Sequence, residues 1–116
     1  MPEPANKVTG AEVARLQNFA LTEKEWQAEV ERTFREHGWL VYHTYRSERS
    51  APGFPDLLAI HIERGALVVA ELKVGKNVLT NHQRRWLYAF KAAGVRSFVW
   101  YPANRPEVLA VAKGGA

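Results

Sequence analysis

The chain has 116 residues, 47% of them apolar and 24% charged, with 16 Lys and Arg against 12 Asp and Glu; this length suits one hydrophobic core and leaves no room for a second substrate-recognition domain. The absence of cysteine excludes a disulfide framework, thiolate catalysis, iron–sulfur clusters and Cys-ligated zinc, so any metal must sit on O or N ligands. No apolar run reaches the ~18–20 residues of a membrane span and residues 1–20 lack the layout of a secretory signal; no membrane partner and a cytoplasmic location are the expectation.

Residues 1–20 read as a flexible N-terminal arm in which Val13, Leu16 and Phe19 form a short helical stripe, and residues 21–113 as the single folded domain. Thr22 and Glu25 make a capping box, and Leu21 can staple onto Trp26, opening a helix that runs to about His37 and stops at Gly38. Trp39 to Tyr45 reads as a strand and Arg46 to Gly53 as a loop. Asp56–Ile62 and Ala66–Lys73 are apolar runs joined by Glu63-Arg64-Gly65, which forces an antiparallel hairpin of strands covered on both faces. Thr80 and Gln83 form a second capping box for a helix to about Ala93, followed by a strand over Val95–Tyr101. Asn104, with Glu107 three residues on, is positioned to cap a last helix through about Ala112, before a disordered Gly-Gly-Ala end. The order α-β-β-β-α-β plus a tail helix predicts an α/β fold with a mixed central sheet flanked by helices, since the last crossover is long enough to be parallel.

Charge concentrates in the middle. From His43 to Arg85 seven basic residues face four acids, an excess compatible with a polyanionic partner. Within this stretch Glu71 and Lys73, two apart in a strand, must share a sheet face. A turn at Glu63-Arg64 sets Asp56 opposite Glu71, one at Arg64-Gly65 sets it opposite Lys73, and a three-residue turn would set it opposite Leu72 and spoil the cluster. Two acids and a lysine among Leu, Ile, Val and Ala are costly to bury unless they pair with each other or hold a cation. His43, His61 and His82 have no metal-binding spacing and read as filler, and no nucleophile elbow, phosphate loop or dinucleotide fingerprint is present.

Together, Glu23, Gly53-Phe54-Pro55-Asp56-Leu57, Glu71-Leu72-Lys73 and Gln83 resemble the pattern of the PD-(D/E)XK nucleases, and most nearly that of the virus-type replication-repair (VRR-NUC) nucleases in their small stand-alone phage form. The resemblance spans Thr22 to about Pro102. It implies a restriction-endonuclease-like α-β-β-β-α-β core and a deoxyribonuclease hydrolysing DNA phosphodiesters with Mg²⁺ or Mn²⁺, often at branched DNA, in a bacterial or phage-infected host cytosol. It further implies that Asp56, Glu71 and the Leu72 backbone carbonyl ligate the metal and that Lys73 orients or activates the attacking water.

Glu23 and Gln83 would complete the catalytic set, although Glu23 equally suits a helix start and Gln83 a capping box. Gly53 would let a phosphate approach. Arg46, Arg49, Lys76, Arg84 and Arg85 are the phosphate-contact candidates. Cutting two strands takes two sites, so a homodimer is expected, with Trp100, Tyr101 or the N-terminal arm at its interface. The alternative is a catalytically inactive nucleic-acid-binding module on the same fold.

Overall fold

The computed structural model describes residues 9–45 and 51–115. Helix α1 (Gly10–Phe19) precedes the core; α2 (Glu23–Glu36), β1 (Leu40–His43), β2 (Leu57–His61), β3 (Ala66–Leu72), α3 (Asn81–Ala92) and β4 (Arg96–Trp100) then follow in the expected order, and a 3-10 turn (Pro102–Asn104) leads into α4 (Arg105–Ala112). The strands form one sheet in the order β1-β2-β3-β4. The first two pairings are antiparallel and β3–β4 is parallel, because α3 carries the chain back across the sheet before β4 begins.

Both capping boxes form in full. Thr22 and Thr80 each accept from the backbone N–H three residues on, and Glu25 and Gln83 reach back to the cap's own N–H. On α2 the four-residue spacing of Trp26, Val30 and Phe34 turns all three into the core, where each is fully buried. They meet Leu57, Ala59, Val68, Ala70, Leu72 and Trp100 of the sheet and Val108 and Val111 of α4. Strand alternation sends Val69 and Glu71 to the opposite face, the side of the sheet against which α3 packs. Three buried indoles each find an acceptor: Trp26 Nε1 donates to Trp100 O (2.9 Å), Trp39 Nε1 to Ala112 O (2.9 Å) and Trp100 Nε1 to Glu107 Oε1 (2.7 Å).

Four details depart from the sequence reading. Trp100, expected at a surface interface, is fully buried beneath α2 and α4; among the described residues the exposed aromatics are Phe19, Tyr42, Tyr45 and Tyr88. Asn104 does not cap α4: its Oδ1 accepts from Tyr101 N (2.8 Å), closing the 3-10 turn, while Glu107 is taken by the Trp100 indole. β2 is covered on one face only, with Leu57, Ala59 and His61 buried but Ile60 exposed, because α3 lies over β3 and β4. The chain after α4 is not loose through Gly114 and Gly115, whose N–H groups bond to Val111 O and Ala110 O, a closure that needs the positive φ of Gly114.

The α1 segment is a full ten-residue helix capped by Thr9. Its C-terminal end is tied down: Asn18 O accepts from Gly75 N (2.8 Å), Asn18 Oδ1 accepts from Ala103 N (3.0 Å), and the Phe19 ring lies against Gly75.

Phe34 sits edge-on to Trp39 (centroids 5.0 Å apart) and beside Trp100 (5.8 Å). Phe34→Ala is expected to cost about 3–5 kcal/mol of stability, read as a lower urea midpoint, by removing a buried ring that no neighbour can replace.

Candidate active site

The β2–β3 hairpin closes through residues 62–65, pairing His61 with Ala66 and Leu57 with Ala70. Continued one residue, this register sets Asp56 opposite Glu71, the first of the two arrangements open to the sequence. Glu71 and Lys73 share the face beneath α3, and Lys73 Nζ lies 4.0 Å from Glu71 Oε1. All this happens in a nearly dry place, with Glu71 2% and Lys73 7% exposed.

Each group is held by specific partners. Asp56 Oδ2 accepts from Leu72 N (2.8 Å), which fixes the carboxylate against the neighbouring strand. Gln83 uses both ends of its amide: Oε1 accepts from Thr80 N (2.8 Å) to cap α3, and Nε2 donates to Glu71 Oε1 (3.0 Å). Capping and site contact, alternatives in the sequence, are thus served by one side chain. Glu71 Oε2 is different, being buried without a hydrogen-bond donor.

That orphaned oxygen faces an electrostatic problem. Burial, then the carboxyl of Asp56 beside it, push the Glu71 carboxyl up to about 9; Lys73 pulls the other way and Glu23 adds to the rise. Without a proton or a cation the two carboxylates repel in a medium that screens poorly. A hard divalent ion that accepts carboxylate and carbonyl oxygens and keeps its own waters fits this donor set. Asp56, Glu71 and the Leu72 carbonyl are the groups on hand. Among the described residues no three His, Cys, Asp or Glu side chains gather into a metal cluster, so the protein would supply two carboxylates rather than a closed cage.

Glu23 begins α2 and lines a groove of about 700 Å³ between α2 and β1, together with Gln27, Glu31, Arg35, His43 and Tyr45. Its charge contributes to the rise of the Glu71 carboxyl. In the groove His43 Nδ1 contacts the Gln27 amide and lies 3.0 Å from Glu31 Oε2, so this histidine is built into a polar network that its spacing alone did not reveal.

Among the described residues the basic candidates do not form one surface. Arg85 lines a groove with Pro52, His82 and Trp86 beside the loop that enters the site, whereas Arg84 lines another with Leu79, Leu87, Tyr88 and Phe98 and bonds Asn81. Lys76 is exposed in the β3–α3 loop. Arg46 and Arg49 lie outside the described residues. Gly53 has φ +85° and packs on the first turn of α3, where a Cβ would come within 2.4 Å of the His82 carbonyl carbon. Its missing side chain is therefore required by helix packing, a reason the sequence did not disclose.

Two solved structures described as VRR-NUC domains match this fold: one is 33% identical, covering 66% of this chain and 81% of that one with a TM-score of 0.55, and another is 19% identical, covering 78% and 84%, with a TM-score of 0.56. The structure of Archaeoglobus fulgidus Hjc, a Holliday junction resolvase from an archaeal hyperthermophile, shares the fold at 16% identity, covering 66% of this chain and 64% of that one with a TM-score of 0.51. No family model and no curated protein matches the sequence. The α/β core with its four-stranded mixed sheet is thus the VRR-NUC and PD-(D/E)XK nuclease fold. The chain belongs to the VRR-NUC family.

The raised Glu71 carboxyl sets a pH dependence. In the unfolded chain it releases its proton near 4.5, in the metal-free fold only near 9, so between these values the fold binds more protons and loses stability as pH rises. Melting temperature without metal should fall across that window, Glu71→Gln should flatten the fall, and stabilisation by Mn²⁺ should grow with pH as the ion displaces the proton.

Proposed function

We propose that this protein is a divalent-metal-dependent DNA endonuclease that hydrolyses phosphodiester bonds in branched or otherwise structured DNA. The observation that carries this reading is the Asp56–Glu71–Lys73 cluster with its buried, donorless carboxylate oxygen. Membership of the VRR-NUC family and the fold shared with an archaeal Holliday junction resolvase support it.

Asp56, Glu71 and the Leu72 carbonyl would hold Mg²⁺ or Mn²⁺. When bound, such an ion supplies Lewis acidity toward a phosphate oxygen and lowers the pKa of water. The side chains divide the remaining work. Gln83 fixes the orientation of Glu71 through its amide. Lys73 places an ammonium group 4.0 Å from Glu71, where it offsets negative charge developing on the scissile phosphate and orients the attacking water. Glu23 adds a third negative charge at the edge of the site, strengthening its preference for a cation. Arg85, in the groove beside the loop that enters the site, and the exposed Lys76 contact flanking phosphates, and Arg46, Arg49 and Arg84 are the further candidates for that role.

One chain carries one such cluster among its described residues, whereas resolving a four-way junction requires two cuts. A symmetric homodimer is the arrangement that supplies both. With Trp100 buried, the interface must lie elsewhere.

The test is a cleavage panel of single-stranded, duplex, flap and four-way-junction DNA with Mg²⁺ or Mn²⁺. Cutting of the branched substrates should be lost on chelation and fall by on the order of 100-fold or more in Lys73→Ala. Metal-independent binding of DNA without cutting would instead return the binding-module reading. Light scattering is expected to give twice the mass of the chain; a monomer at working concentration would remove the dimer.

A further inference from the structure

The corner that presents Asp56 is shaped by a residue that no motif contains. In an antiparallel pair the backbone groups of successive residues point alternately to either neighbour. Thr44 N donates to Asp56 O (2.9 Å). Asp56, Leu58 and Ile60 therefore turn their backbone groups to β1, and Leu57, Ala59 and His61 turn theirs to β3.

Carried back one residue, the same alternation would aim the Pro55 carbonyl at β3. The register of Leu57 with Ala70 puts it opposite Leu72, whose N–H would be its donor. The structure shows something else. The Thr44 hydroxyl donates to Pro55 O at 2.7 Å, and the Leu72 N–H goes to Asp56 Oδ2 at 2.8 Å. The ladder has been exchanged: a hydroxyl from β1 takes the carbonyl, and the donor this frees on β3 takes the carboxylate.

We propose that Thr44 is a positioning residue for Asp56. Its hydroxyl latches the Pro55 carbonyl away from β3 and so reserves the Leu72 N–H for the carboxylate. Proline suits the corner because it has no N–H to lose there, and Pro55 is itself buried, which leaves its carbonyl no water to turn to. Without the hydroxyl, the buried carbonyl has one donor within the ladder's reach, the N–H that Asp56 now occupies. The carboxylate would then be displaced from the position in which it faces Glu71. The inference rests on the nuclease reading only for what Asp56 is used for; the latch itself is a property of the metal-free chain.

The experiment compares the full chain with Thr44→Val, which keeps a β-branched side chain, and Thr44→Ser, which keeps the hydroxyl. In amide NMR without metal, Asp56→Asn should shift the Leu72 N–H strongly in the parent and in the Thr44→Ser background, and hardly at all in the Thr44→Val background. Mn²⁺ affinity by calorimetry should fall on the order of 10- to 100-fold in Thr44→Val, as for other residues that orient a metal-binding side chain, and recover in Thr44→Ser. A folded Thr44→Val chain that keeps either the Leu72 response or the parent's Mn²⁺ affinity overturns the proposal. If the valine variant does not fold, Thr44→Ala is measured in the same way and decides. Should the parent bind no Mn²⁺, the nuclease reading falls, and the Leu72 amide alone decides the latch.

Discussion

Everything in the site follows from the cost of placing Glu71 where water cannot reach it. A carboxylate that is 2% exposed, with another carboxyl beside it, is stable only with a proton or with positive charge close by. Lys73 provides one charge at 4.0 Å and Gln83 one hydrogen bond, and both act on the same oxygen, Oε1. Oε2 remains unprovided for. The carboxyl pair at the end of β3 is therefore under electrostatic tension whenever Glu71 gives up its proton, and a cation bound there would relieve it.

The surrounding architecture sustains this tension through rigidity. β3 is the sheet's central axis, paired on both sides, so Glu71 cannot move outward without breaking a ladder. α2 and α4 clamp one face through Trp26, Val30, Phe34, Val108 and Val111, and α3 lies on the other. Asp56 is fixed by backbone from both flanks, its carbonyl to β1 and its carboxylate to β3. Such over-determination lets a site hold groups whose mutual repulsion would otherwise separate them.

Much of this was legible in the sequence because the signals were local. Two capping boxes located α2 and α3, a period of two fixed the shared face of Glu71 and Lys73, and a short connection forced the hairpin. What the sequence hid depends on packing between distant segments. Trp100 read as a surface aromatic because nothing in Val95–Tyr101 says that α2 and α4 will close over it. Asn104 read as a helix cap because the competing acceptor role, toward Tyr101, exists only once Pro102 has started a 3-10 turn. Gly53 owes its identity to α3, nearly thirty residues downstream, and Thr44, a common residue at a strand end, carries no local mark of its partners.

The amide of Gln83 illustrates how a helix boundary and a buried carboxyl pair become one object. Glutamate and glutamine both serve at the third position of a capping box. Glutamate would suit the positive end of α3 better. Here it would set a further carboxyl directly against Glu71, where the amide now donates a hydrogen bond. The start of α3 is thus built below its own optimum in favour of the carboxylate it faces, and a variant selected only for a firmer helix would be drawn toward the one residue that the neighbouring strand cannot tolerate.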